Sequence, residues 1–184
     1  MQSTRHAARH RRGFTLIEII IALAVAAIVL ATAAPAFGAL IEKKRLDGAA
    51  SRLVADVQFA RAEAARRHES VFLSLHGTQS GCYLLHTGAL ADCNCTDDGS
   101  EICNGGAQAL KTVGLGLTAL RLATPGKSTY IAFDPVHGTS SPTNTLILTA
   151  SSGRSIRVVV SLMGRVRTCS PNTSAPAVPG YAIC

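Results

Sequence analysis

Residues 19–41 are 23 consecutive positions without a charge. As a helix rising about 1.5 Å per residue, this run spans roughly 35 Å, enough to cross the ~30 Å hydrocarbon core of a bilayer. Beyond it the pattern narrows to a stripe. Leu46, Ala50, Leu53, Val57, Ala60 and Ala64 recur at alternating spacings of four and three, while Arg52, Asp56, Arg61, Glu63 and Arg67 take the other faces. That periodicity predicts an amphipathic helix with one face on a core. One helix from residue 14 to about 68 is expected, closed by the polar run Arg66-Arg67-His68-Glu69-Ser70. Pro35 removes a backbone donor inside it and predicts a kink, and Gly38 and Gly48 soften it locally.

From Val71 the pattern becomes short strands separated by Gly, Pro, Ser and Asn clusters. The candidates are 71–75, 82–86, 117–122, 129–134, 144–150 and 154–162. "LILTASSGRSIRVVVS" reads as a hairpin turning at Ser152-Gly153. No βαβ repeat is present. The expected fold class is α+β, a long N-terminal helix on an antiparallel β-sheet head.

Charge sharpens this picture. The net charge is +7, but Arg5, Arg9, Arg11 and Arg12 precede the apolar run, and without residues 1–13 the balance is 14 basic against 11 acidic. Residues 82–106 hold four acids and no Lys or Arg, whereas residues 121–184 hold six bases against one acid, Asp134. The basic character therefore belongs to the C-terminal third.

One carboxylate, Glu18, stands at the start of the apolar segment, where a charge costs about 2.5–3.5 kcal/mol on insertion scales. A secretory signal peptide would have an apolar region of about 7–15 residues before a small-residue cleavage site such as the one at Ala36, and this run is too long for that. A plain anchor would place Glu18 at the cytoplasmic face. The octad Arg11-Arg12-Gly13-Phe14-Thr15-Leu16-Ile17-Glu18 instead resembles the class III signal of type IV pilins and type II secretion pseudopilins. The resemblance implies cleavage by a prepilin peptidase after Gly13 and N-methylation of Phe14. The new amine on Phe14 would lie about one helical turn from Glu18, and in a filament Glu18 could pair with the amine of a neighbouring subunit. The expected organisation is a leader at 1–13, a membrane and filament-core helix at 14–41, an amphipathic helix at 42–69 and a β-rich head at 70–184.

The head carries a second resemblance. "YIAFDPVHGT", a strand pair and "VVVSLMGRVRT" resemble the FimT/GspH group, with His137 making the Asp-Pro turn one residue longer than the group's usual form. Its six cysteines, Cys82, Cys93, Cys95, Cys103, Cys169 and Cys184, all follow the membrane segment and suggest disulfides in an oxidising compartment. A Cys169–Cys184 bond would close the proline-rich tail; for the other four the pairing stays open. Zinc is disfavoured because paired C-x-x-C knuckles are missing, and calcium because Asp97 and Asp98 lack a ligand loop around them. No metal or cofactor is expected.

No catalytic residue is assigned. The chain has no G-x-S-x-G, H-E-x-x-H or P-loop motif, and His68, His76, His86 and His137 are scattered and read as mostly surface residues. An anchored hydrolase is the weaker reading. The remaining chemistry is Arg154, Arg157, Arg165 and Arg167 within fourteen residues, with Gly164 just before the last two. On a strand Arg165 and Arg167 share a face, and planar guanidiniums suit phosphate oxygens. The plainer reading is an edge strand protected by charge. The FimT-type resemblance implies that Gly164, Arg165 and Arg167 belong to a DNA-binding surface used in natural transformation. Few aromatics lie nearby, so contacts should address the backbone and tolerate any sequence. The expectation is a FimT-like minor pilin in the inner membrane, its head periplasmic, with pilins, prepilin peptidase and DNA as partners. The alternative is a GspH-like type II secretion pseudopilin.

Overall fold

The computed structural model describes residues 13–76, 81–116, 118–173 and 175–184. The expected leader, 1–13, lies outside the described residues except for Gly13. Helix α1 spans Leu16–Arg67, and its helical assignment continues through Pro35. Thr15 starts it: the Glu18 N–H donates to Thr15 Oγ1 at 3.3 Å, a side-chain cap on a helix end that would otherwise leave its donors free. At the other end Glu63 binds Arg66 and Arg67, each at 2.8 Å, and His68 takes a left-handed φ of 58° that stops the helix.

The chain divides after Ile41 into two compact units. The first is the apolar part of α1, whose large side chains, Leu16, Ile20 and Leu23 among them, are exposed throughout. Its helix is long and apolar enough to cross a membrane.

The second unit, Glu42–Cys184, holds the core. Leu46, Ala50, Leu53, Val57, Ala60 and Ala64 are all buried, so the sequence stripe is the packing face of the helix. It covers two antiparallel sheets. One has the order β5 (Ala109–Gly114), β2 (Cys82–His86), β1 (Val71–His76), β7 (Tyr130–Phe133), β8 (Ser140–Ser141). The other has the order β11 (Val166–Cys169), β10 (Ser155–Val160), β9 (Asn144–Thr149), β6 (Arg121–Ala123). A two-stranded ribbon, β3 (Cys93–Cys95) and β4 (Glu101–Cys103), completes the unit.

One expected strand needs correction, and β3, β4 and β5 were not expected. Residues 117–122 do not form one strand: the Thr118 N–H and hydroxyl both bond the Leu115 carbonyl, and Ala119 is left-handed at φ 54°. This turn separates β5 from β6. Strand β5 has no alternating burial for a period of two to reveal, and β3 and β4 are too short to show one. The β9–β10 hairpin forms as read, with Gly153 at φ 84°. The longer Asp-Pro turn is closed by Asp134, whose Oδ1 accepts the N–H groups of Val136 and His137.

The histidines are not all superficial. His86 is fully buried, stacked on Phe72, because both faces of β2 are covered. Its Nδ1–H donates to the Thr87 carbonyl at 3.0 Å, which leaves Nε2 to accept from Ser74 Oγ at 2.9 Å. Burial pushes its pKa below the usual value, and does the same to His76. A second polar centre joins helix to sheet. Asp56, 2% exposed, accepts the Tyr83 hydroxyl at 2.7 Å and pairs with the Lys111 ammonium. Burial, followed by the Asp56 charge, raises the Tyr83 pKa.

Candidate functional site

The four-stranded sheet turns Ile156, Val158 and Val160 of β10 into the core, so Ser155, Arg157 and Val159 face outward. Register then assigns the neighbours. Arg167 of β11 lies opposite Val159, and Cys169 lies opposite Arg157. On the other side Val159 and Arg157 face Thr145 and Ile147 of β9. Strand β6 pairs Arg121 with Thr149, and buried Leu122 leaves Arg121 and Ala123 on the same outer face.

The β10–β11 hairpin shapes one corner. The Ser161 N–H donates to the Arg165 carbonyl at 3.0 Å, and the Gly164 N–H to the Ser161 carbonyl at 2.8 Å. Above it Val159, Ser161, Met163, Arg165 and Arg167 line a concavity of about 350 Å³. The floor is apolar and the rim cationic. Arg121, Arg157, Arg165 and Arg167 make no ion pair with any described residue. Arg157 Nε is buried without a hydrogen-bond partner. Such an arrangement can accept anionic oxygens from solution without first breaking an internal salt bridge.

Two residues grouped with this patch by sequence stand elsewhere. Arg154 precedes β10 with the parity of the core-facing residues, and its charge helps hold Glu42 below the usual carboxylate range, after the hydroxyls of Ser152 and Ser151. A spacing of three from Arg157 turns a strand residue to the opposite side. Gly164 is buried, with φ 68°, and faces Arg61 of α1: a Cβ there would lie 3.0 Å from Arg61 Nε and 3.1 Å from the Gly138 carbonyl oxygen. Its place is in the turn, behind the arginines. Arg121 was missed because β6 is three residues long, although the six-to-one excess of bases already included it.

All six cysteines are paired, as Cys82–Cys95, Cys93–Cys103 and Cys169–Cys184. The first pins the acidic ribbon to β2, the second ties β3 to β4 within the ribbon, and together they take up the sulfurs a zinc site would need. The third closes the tail, where Ser170 bridges to Ile183 and Val178 enters the core. Among the described residues no group of three or more His, Cys, Asp or Glu side chains is placed to hold a metal. In the first unit Phe14 and Glu18 are exposed, and Glu18 makes no ion pair with a described residue.

Comparison with known proteins decides the family. Residues 49–164 match the model of the type II transport protein GspH, and residues 8–34 match the prokaryotic N-terminal methylation motif. The chain belongs to the GspH family. It is 36% identical over 164 residues to the pilin-like protein PilA1 of Thermus thermophilus, covering 85% of this chain and 97% of that one. The type IV minor pilin FimU of Pseudomonas aeruginosa shares the fold, with a TM-score of 0.54 and 19% identity over 73% of this chain and 98% of that one. A second crystal form of FimU gives a TM-score of 0.51. The protein is thus a pilin-like subunit of the type IV pilus and type II secretion class, with an apolar N-terminal helix suited to a membrane anchor. The family match ends at Gly164, immediately before Arg165 and Arg167.

Proposed function

We propose that this protein is a FimT-like minor pilin of a type IV pilus that holds DNA on the outer face of its four-stranded sheet during natural transformation. In this reading prepilin peptidase cuts after Gly13, Phe14 becomes the methylated N-terminus, and Glu18 pairs with the amine of a neighbouring pilin. The helix sits in the inner membrane before assembly and the head is periplasmic. The protein is a subunit with no enzymatic role of its own.

The observation that carries the DNA reading is the side-by-side placement of Arg157, Arg165 and Arg167 with no acidic partner among the described residues. Unpaired guanidiniums on one open face attract a polyanion, and release of its counterions supplies affinity without reading bases. The processed full chain in mild detergent should retard DNA of any sequence, with affinity falling steeply as salt rises. Arg165→Gln with Arg167→Gln should remove most of that affinity without lowering the melting temperature. Wild-type binding by this double variant would return the arginines to edge protection. The family model described as a type II transport protein favours the second reading, a secretion pseudopilin whose partners are other pseudopilins, and that result would put it first.

Assembly is tested separately. Intact mass of the membrane-extracted protein should give a chain beginning at Phe14. Glu18→Val should still insert, since it loses a membrane charge, but should be depleted from sheared filaments. Normal incorporation would leave Glu18 a residue of a plain anchor.

A further inference from the structure

We infer that the DNA-holding site continues beyond the Arg165–Arg167 corner as a diagonal track across the whole sheet, from Arg167 on β11 through Arg157 on β10 to Arg121 on β6. Its ligand is duplex DNA, one strand of which is followed along its backbone. This rests on the nucleic-acid reading of that face and extends it through Arg157 to one new position, Arg121 at the far edge.

The placement follows from register. Arg167 sits on the register line of Val159 and Thr145, Arg157 on that of Ile147, and Arg121 on that of Thr149. Each step between lines is two residues in the same direction along the sheet, and the sheet order carries the arginines from one edge to the other. With strands about 4.8 Å apart and about 3.3 Å per residue, the track is roughly 14 Å wide and 13 Å long, a diagonal of about 20 Å. A phosphate backbone laid along this diagonal passes the three guanidiniums in turn. Between the arginines lie Ala123, Thr145, Ile147 and Ser155, all without charge, so no side chain in the row repels a phosphate.

Two further observations point to a ligand. Arg157 stands half-buried in the middle of the row and has no ion-pair partner among the described residues. Arg121 is exposed and unpaired among the described residues, although Asp97 lines the cavity beside it. Asp97 is an acid at that end of the track, and it should weaken binding there.

The test measures affinity of the full-length protein in detergent for a fluorescent 20-base-pair duplex across a salt series. Variants are Arg121→Gln, Arg157→Gln, Arg157→Lys, Asp97→Asn and Arg154→Gln. On the track, Arg121→Gln and Arg157→Gln each lower affinity about three- to tenfold and flatten the slope of log K against log salt by about one phosphate's worth, ~0.9. Arg157→Lys restores most of the slope, which separates lost charge from damaged packing, and Asp97→Asn tightens binding. Arg154→Gln, off the face, changes neither quantity. If Arg165→Gln with Arg167→Gln abolishes binding while Arg121→Gln and Arg157→Gln leave affinity and slope at wild-type values, the track is overturned and the corner alone binds DNA. If the wild-type chain fails to bind DNA, the functional reading falls and the track with it.

Discussion

Gly164→Ala should cost the second unit about 2–3 kcal/mol. The glycine stands at φ 68°, where an L-residue is disfavoured by roughly 1–2 kcal/mol. A Cβ would also lie 3.0 Å from Arg61 Nε, 3.1 Å from Arg61 Cδ and 3.1 Å from the Gly138 carbonyl oxygen. Arg61 is long and can shift. The Gly138 carbonyl is held in the Asp134 turn and gives way less easily, which adds about 1 kcal/mol. Gly153→Ala supplies the control. Its φ is 84°, but the nearest atom to the added Cβ is Ala175 Cβ at 3.7 Å, an ordinary contact, so only the backbone cost of roughly 1–2 kcal/mol applies. Thermal unfolding of the full chain in detergent, followed by circular dichroism, should place Gly164→Ala roughly 5–10 °C below wild type and Gly153→Ala about half as far. Equal shifts for the two variants would show that the close approach of Arg61 and Gly138 contributes nothing. A wild-type melting temperature for Gly164→Ala would refute the reasoning about the turn itself.

Lys111→Met should destabilise by about 3 kcal/mol, since it leaves the buried Asp56 carboxylate with only the Tyr83 hydroxyl; the partial exposure of Lys111 keeps the loss at the low end for a broken buried pair. Adding Asp56→Asn should recover part of that loss in urea titrations. Stability should be full above about pH 6.5 and fall as the pH drops below it, because the unfolded chain then binds protons that the buried His86 and the half-buried His76 resist. The slope reaches at most about 1.4 kcal/mol per pH unit for each histidine, and His86→Gln should flatten it. A separate acid loss below about pH 4.5 belongs to Glu63, held down to about 2 by Arg66 and then Arg67. Cys169→Ser with Cys184→Ser opens a loop of sequence separation 15 and should cost about 3 kcal/mol in the chain-entropy model, while weakening DNA binding less than loss of Arg165 and Arg167 does.

The sequence by itself determined the features that depend on neighbours along the chain. The apolar run, the stripe from Leu46 to Ala64, the Gly13-Phe14 junction with Glu18 and the Ser152-Gly153 hairpin are all periodicities or short motifs, and each is present as written. The closed tail was readable because Cys169 and Cys184 bracket a stretch with no regular pattern. Only tertiary structure decided which of the three pairings left to the other four cysteines formed, because sulfur atoms meet through the β2–β3–β4 packing and not through spacing. It also sorted the arginines. Arg154 and Arg157 look equivalent in a list of basic residues, yet strand parity sends one towards Glu42 and leaves the other on the outer face. Arg121, thirty-six residues before Arg157, joins that face because β9 pairs with β6 on one side and β10 on the other. A sheet is assembled from distant strands, so the composition of its face is fixed by register, which no local stretch of sequence contains.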